Sequence, residues 1–159
     1  IYDPARDAEN HVRAIIDRAY MPHGRVNMTE MPLDKVELHE VKKLLMRKMS
    51  REEALDKITL LLSESNARRE LNSKAHKLKT AWNLLGDQII FQLEVLFDHK
   101  WPFKAAYVDL TTLPICPYDF KTKKIFVHAK LDTRSQLRIL SHELNHFLFY
   151  EVYSKNLKG

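Results

Sequence analysis

The chain has 159 residues, of which 45% are hydrophobic, so it can form one domain, or two small ones, with a packed core. No apolar run approaches the roughly 18 residues of a membrane-spanning helix, and the single cysteine excludes an internal disulfide. The net charge of +5 is smaller than is usual for a nucleic-acid-binding protein. A lone cysteine is typical of a reducing compartment, so we expect a cytoplasmic protein.

Residues 1–100 have the pattern of a mostly helical region. Asp3 followed by Pro4 predicts a helix start, because aspartate caps a helix and proline suits its first position. Ser50 with Glu53 three residues later is a capping box, which predicts a second start. Residues 21–33 contain two prolines and a glycine and predict a loop. Helices are also expected from Asp34 to about Arg47, from residue 50 to about Leu62, and over roughly residues 66–99.

Strand signals begin after residue 100. Ala106–Leu110 is rich in residues that favour strands, and Lys124–His128 alternates between polar and apolar side chains. The segment between them contains two prolines and several turn residues, which indicates a loop or a hairpin. We therefore predict an α+β fold, in which a helical region is followed by a short antiparallel or mixed sheet and a final helix.

The most informative motif is His142-Glu143-Leu144-Asn145-His146, which has the pattern H-E-x-x-H. Residues four apart on a helix lie on one face, so both imidazoles could bind the same zinc ion. Glu143 would lie beside them, where it could act as the general base for an attacking water molecule. The competing interpretation is a pair of histidines that serve only the packing of the core.

The motif is predicted to lie on a helix from about Arg134 to about Tyr153. Thr133 with Gln136 three residues later makes a capping box, and Asp132 is the alternative cap. The apolar residues of this segment recur at helical spacing, at Leu137, Leu140, Leu144, Phe147 and Leu148.

A catalytic zinc ion usually has three protein ligands, and the sequence identifies only two. Glu151 is the one carboxylate that follows the motif, but nine residues after His142 it would point away unless the helix ends near Phe149. The alternatives are a ligand beyond Gly159, a side chain from upstream, or a site completed by solvent. Cys116 could also reach the zinc ion as a thiolate, although a buried, inert thiol is the simpler interpretation.

Residues 118–150 read YDFKTKKIFVHAKLDTRSQLRILSHELNHFLFY, with a strand, a short polar loop and the motif helix. This segment resembles the core of the gluzincin-type minimal metallopeptidases, most closely the ImmA/IrrE-like group, in which a residue similar to Arg138 precedes the motif. The resemblance implies a zinc-dependent endopeptidase with His142 and His146 as ligands and Glu143 as the general base. It also implies a third ligand, a glutamate, from a following helix. On this basis residues 1–100 form a helical region and residues 101–159 form a zincin-like catalytic core. If the third ligand follows the family pattern, it would come from a helix beyond Gly159.

A metallopeptidase also needs a donor for the oxyanion and a surface that holds the substrate. His128, Tyr150 and Tyr153 are the candidate donors. The strand just before the motif helix is the candidate edge that would hold an extended polypeptide substrate, and it comprises Lys124, Ile125, Phe126, Val127 and His128. The alternative, equally compatible with the pattern, is an ordinary buried strand.

Two other functions compete with the peptidase. The chain could be a zincin-like interaction module without activity, because the third ligand is not identified. It could also be a helical nucleic-acid-binding protein with a structural metal, through a basic stretch at residues 68–79. Glu70 interrupts that stretch and Glu64 precedes it, which is more typical of a solvated helix face. We expect neither nucleic acid nor a membrane as a partner. The pattern does not predict an oligomeric state.

Overall fold

The computed structural model describes residues 2–16, 50–64, 67–114 and 116–153. Its described part is α+β and mostly helical, with four α-helices and one three-stranded mixed sheet. The predicted loop over residues 21–33 and the predicted helix over residues 34–47 lie outside the described residues. Within those residues, every helix is either too short or too rich in polar side chains to span a bilayer.

The first two helices begin where the sequence predicts. Helix α1 (Pro4–His11) is capped by Asp3, whose carboxylate accepts hydrogen bonds from the backbone N–H groups of Ala5 and Arg6, and it continues as a π-helical segment, Val12–Ile16. Helix α2 (Arg51–Glu64) is capped by Ser50, whose Oγ accepts from the N–H of Glu53 at 3.1 Å. Both predicted caps are confirmed. The two helices share a small apolar core of Ala8, Val12, Ala54, Ile58 and Leu62.

Helix α3 (Arg68–Phe97) is the longest element of the described chain. Its 30 residues give it a length of about 45 Å, and it ends at Asp98, which adopts a left-handed conformation with φ of 48°. The predicted helix over residues 66–99 is confirmed. Helix α3 packs along the final helix, which carries the motif.

The sheet consists of β1 (Tyr107–Thr111), β2 (Tyr118–Asp119) and β3 (Lys124–His128) in the order β1-β3-β2. Strand β1 pairs with β3 in parallel, and β2 pairs with β3 antiparallel. The prediction that β3 is an edge strand is wrong. The segment after β1 folds back and takes the second side of β3, where the N–H of Phe126 also donates to the carbonyl of Pro117 at 2.8 Å. The backbone of β3 therefore has neighbours on both sides.

Helix α4 (Thr133–Tyr153) carries the H-E-x-x-H motif, and its bounds agree with the prediction to within one residue. The cap is Asp132, the alternative choice, because its Oδ1 accepts from the N–H of Ser135 at 2.9 Å. Gln136 does not complete a capping box. Its side chain is buried and donates to the carbonyl of His128 at 3.3 Å, which ties the start of α4 to the end of β3.

The main core joins α3, the sheet and α4. Its buried members include Leu71 and Leu78 from α3, Ile125 and Val127 from β3, and Leu144 from α4. The main core thus combines side chains from the helical segment before residue 100 with side chains from the strands and the helix after it.

A separate polar network attaches α1 to the end of β1. The buried carboxylate of Asp7 accepts hydrogen bonds from the hydroxyls of Tyr2, Thr111 and Thr112, at 2.6, 2.6 and 2.8 Å. The ring Nε2 of His11 lies 2.7 Å from Thr112 Oγ1, and His11 is fully buried. A buried network of this kind holds two elements in one relative position, because each broken bond leaves an unpaired polar group.

Candidate metal centre

The apolar face of α4 determines the orientation of the motif. Leu140, Leu144, Phe147 and Leu148 are buried in the main core and fix this face against the rest of the molecule. His142 lies two residues from both Leu140 and Leu144, which places it nearly opposite them around the helix axis. It is exposed, and His146, one turn further along, is partly exposed. The packing of the core therefore turns the two histidines outward together.

The Nε2 atoms of His142 and His146 lie 3.1 Å apart, and their rings meet edge to face at 83°. Two nitrogen atoms bound to one tetrahedral zinc ion at 2.0–2.1 Å would be about 3.3 Å apart. The observed separation fits that arrangement, and it also fits a hydrogen bond between two neutral rings. In either case the backbone of α4 brings both nitrogen atoms to one point without any other change.

Glu143 lies between the histidines in sequence and is 8% exposed. Its Oε2 atom is buried and has no hydrogen-bond partner among the described residues. Burial raises the pKa of this carboxyl group to about 7. An unpaired polar atom inside a protein is costly, so one that persists beside two convergent imidazoles is typical of a functional site.

Tyr118 is the residue of this site that sequence reasoning missed. Its ring stacks on that of His146, with centroids 5.2 Å apart and planes 10° from parallel. Its hydroxyl donates to that of Tyr150 at 3.2 Å, and burial raises the pKa of Tyr118. Tyr118 reaches His146 only because β2 pairs with β3, and a two-residue strand has no detectable sequence period.

The three predicted oxyanion donors lie at different distances from the histidines. The ring of Tyr150 is 6.5 Å from that of His146, so the structure brings it to the site. Tyr153 lies nearly two turns beyond His146 and packs against Phe149. His128 is buried at the end of β3, and its backbone N–H donates to Cys116 Sγ at 3.2 Å.

Among the described residues, no third metal ligand lies at the histidine pair. These residues contain no group of three His, Cys, Asp or Glu side chains arranged to hold an ion. Because α4 continues to Tyr153, Glu151 lies about half a turn from His142, and its charge acts on Lys123 instead. The structure does not bring Glu151 to the histidine pair.

Cys116 is partly buried and lies close enough to the motif to feel the charge of Glu143. Burial raises the pKa of this thiol, and the nearby charge of Glu143 acts in the same direction, whereas the hydrogen bond from His128 lowers it. A raised pKa disfavours the thiolate that metal binding requires. The surroundings of Cys116 therefore favour a buried, inert thiol over a metal ligand.

Burial also lowers the pKa of His146, and the proximity of His142 adds to this effect. The neutral imidazole is the form that binds a metal ion. The two histidines therefore provide the kind of nitrogen donor that a zinc ion would need at two of its positions.

Comparison with protein-family models, with curated proteins and with solved structures finds no match to this chain.

Proposed function

We propose that this protein is a zinc-dependent metallopeptidase of the gluzincin type, most like the ImmA/IrrE-like group, that hydrolyses peptide bonds at its H-E-x-x-H helix. The proposal is supported by two observations on the same part of α4: the two histidine Nε2 atoms converge to 3.1 Å, and a Glu143 oxygen is buried without a hydrogen-bond partner among the described residues. If the motif served only core packing, a buried carboxylate oxygen without a partner would be a cost with no benefit.

In this function His142 and His146 would hold the zinc ion. When bound, zinc would supply Lewis acidity toward the substrate carbonyl and the attacking water. Glu143 would accept a proton from that water and pass it to the nitrogen of the leaving amine, so the carboxylate is regenerated at the end of the cycle. The apolar surroundings of Glu143 favour this role because they strengthen its interaction with a nearby proton donor.

The hydroxyl groups beside His146 suggest how the oxyanion would be stabilised. Tyr118 and Tyr150 share a hydrogen bond at the side of the histidine pair, so either hydroxyl could be redirected to a substrate oxygen. Strand β2 borders the histidine pair, because the ring of Tyr118 stacks on that of His146. An extended polypeptide substrate would therefore lie along β2 and pass over His146.

The first test is the zinc content of the purified protein and of three variants. We expect about one zinc ion per chain in the wild type and in Glu143→Gln, and a loss of at least about tenfold in zinc affinity in His142→Ala and in His146→Ala. Elemental analysis after dialysis measures the content. His99→Ala is the matched control, because His99 is exposed beyond the end of α3. Equal zinc content in all histidine variants would reject the site.

The second test is cleavage of a mixture of synthetic peptides, followed by mass spectrometry. We expect zinc-loaded wild type to cut peptides and Glu143→Gln to lose at least about 100-fold in rate while it keeps its zinc. Unchanged turnover in Glu143→Gln would remove this residue from the mechanism.

One observation favours a second function, that of a zincin-like module without activity. The described residues contain no third ligand, and catalytic zinc sites usually have three from the protein. This alternative predicts that the wild type keeps zinc on the histidine pair but cuts no peptide in the mixture.

A further inference from the structure

A cavity of about 700 Å³ lies between α3, β1 and α4, on the side of α4 away from the histidine pair. Its walls are mostly apolar and include Trp82, Trp101, Val108, Leu110, Leu140 and Leu144. The volume is in the range of cavities that bind ligands in other proteins. Leu140 and Leu144 point nearly opposite to His142 on α4, so this cavity is separate from the candidate metal centre.

One wall of the cavity is β1, which is an edge strand of the sheet that the described residues form, because the strand order is β1-β3-β2. The N–H of Tyr107 donates to Lys123 on the β3 side, and the carbonyl of Thr111 accepts from Ala129 on the same side. In a parallel pair, alternate residues bond to the neighbouring strand, so the backbone groups of Val108 and Leu110 point the other way. They have no hydrogen-bond partner among the described residues.

Helix α1 contacts β1 at its C-terminal end, where the N–H of Thr112 donates to Asp7 and Arg6 pairs with Asp109. Elsewhere the described edge has few of the usual devices that prevent strand pairing. Tyr107–Thr111 contains no proline and no lysine, and its side chains at Tyr107 and Val108 are 54% and 38% exposed. An apolar small molecule in the cavity would cover the two N–H and two carbonyl groups of Val108 and Leu110 without bonding to them. That arrangement would be costly, whereas an extended polypeptide would pair with all four groups.

The charges at the cavity indicate which polypeptide would fit. His76 and Lys79 line it from α3 and are both exposed, whereas its lining contains no Asp or Glu. Lys79 makes no ion pair among the described residues. Lys79 is the one charged side chain of this lining, and an exposed lysine next to an apolar wall is complementary to a segment that carries an acidic residue next to its apolar ones.

We propose that the open edge of β1 binds an extended segment of a partner protein, which adds a fourth strand to the sheet beside β1. The segment has apolar side chains at alternate positions, which fill the cavity, and an Asp or Glu that faces Lys79. This binding site is independent of the peptidase function, since it uses the opposite side of α4.

The test uses a phage-displayed library of random linear twelve-residue peptides, selected on the whole chain. Val108→Pro serves for counter-selection, because it removes the outward N–H of β1 without touching the bonds between β1 and β3. Val108→Thr is the matched control, since it keeps both the N–H and the branched side chain. Trp82 and Trp101 are the only tryptophans of the chain and both line the cavity, so tryptophan fluorescence reports directly on binding there.

We expect selected peptides to alternate apolar with polar residues, to contain Asp or Glu, and to change the tryptophan emission on binding. Affinity should fall at least about tenfold on Val108→Pro and stay unchanged on Val108→Thr. If Val108→Pro does not fold, N-methylation of alternate peptide residues gives the same test on the unaltered chain. Zinc content should be the same with and without peptide, which separates this proposal from the peptidase.

Four results would overturn the proposal. The first is a selection that enriches no peptide over the Val108→Pro background. The second is binding that neither Val108→Pro nor N-methylation weakens. The third is a dimer in light scattering that Val108→Pro dissociates, because a second copy of the chain would then occupy the edge. The fourth is a change in tryptophan emission with dodecanoate that matches that of the peptides, which would identify an amphiphile site.

Discussion

At the scale of single residues, Tyr118 has the most specific contact with the histidine pair. Its ring lies parallel to that of His146, and its hydroxyl is engaged with Tyr150. A ring stacked on an imidazole limits the rotation of that imidazole, which keeps Nε2 directed at His142. Groups that orient a ligand from behind typically contribute 10–100-fold to metal affinity. Tyr118 should therefore act as a positioning residue for His146, through its ring more than its hydroxyl.

The prediction for Tyr118 separates its ring from its hydroxyl. We expect Tyr118→Ala to lower zinc affinity roughly tenfold, because His146 loses the surface that orients it, and Tyr118→Phe to keep the wild-type affinity. Competition with a chromophoric chelator measures both. Tyr107→Ala is the control, since Tyr107 is an exposed tyrosine on β1. Equal affinities for Tyr118→Ala and the wild type would show that the stack has no orienting role.

At the scale of elements, the helices were predictable and the pairing of the strands was not. The starts of α1 and α2 follow from Asp3 and Ser50, because a cap bonds to N–H groups only two or three residues away. The position of β3 between two neighbours depends on β2, a two-residue strand that the sequence does not announce. The motif could be predicted from the sequence because its residues lie within two turns of one helix. Its contact with Tyr118 could not, because that contact depends on the pairing of β2 with β3.

The start of α4 gives a prediction at this scale. Asp132→Ala should lower the melting temperature by roughly 2–4 °C, because the N–H of Ser135 loses its acceptor at the end of a helix that carries much of the core. Asp132→Asn should restore most of the loss, since asparagine also caps helices. Circular dichroism on heating measures the change. A drop of the same size in Thr133→Ala would assign the cap to Thr133 instead.

At the scale of the whole molecule, the network around Asp7 and His11 makes stability depend on pH. His11 is fully buried, and burial lowers its pKa although the nearby carboxylate of Asp7 acts in the opposite direction. Its Nδ1 has no partner in the described residues, so a proton added there would have no acceptor. As the pH falls below the ordinary histidine pKa of about 6.5, the unfolded chain binds a proton that the folded chain does not. Acid therefore favours unfolding through this residue.

The measurement is the free energy of unfolding in urea at a series of pH values. The contribution of His11 is fully present above about pH 6.5 and is lost as the pH falls toward its lower folded pKa, with a limiting slope of about 1.4 kcal/mol per pH unit. In His11→Gln this part of the slope should disappear, while the carboxylates other than Asp7 contribute equally to both proteins. His99→Gln, at an exposed position, should keep the wild-type slope. A His11→Gln curve parallel to the wild-type curve would show that His11 takes up a proton without cost.

Helix α4 has its histidines on one side and Leu140 and Leu144, which line the cavity beside β1, on the other. Side chains on opposite faces of one helix project in opposite directions, so either face can be altered by substitution without direct contact with the other. One helix thus gives the chain two separately addressable surfaces, and an occupant of one need not enter the space of the other.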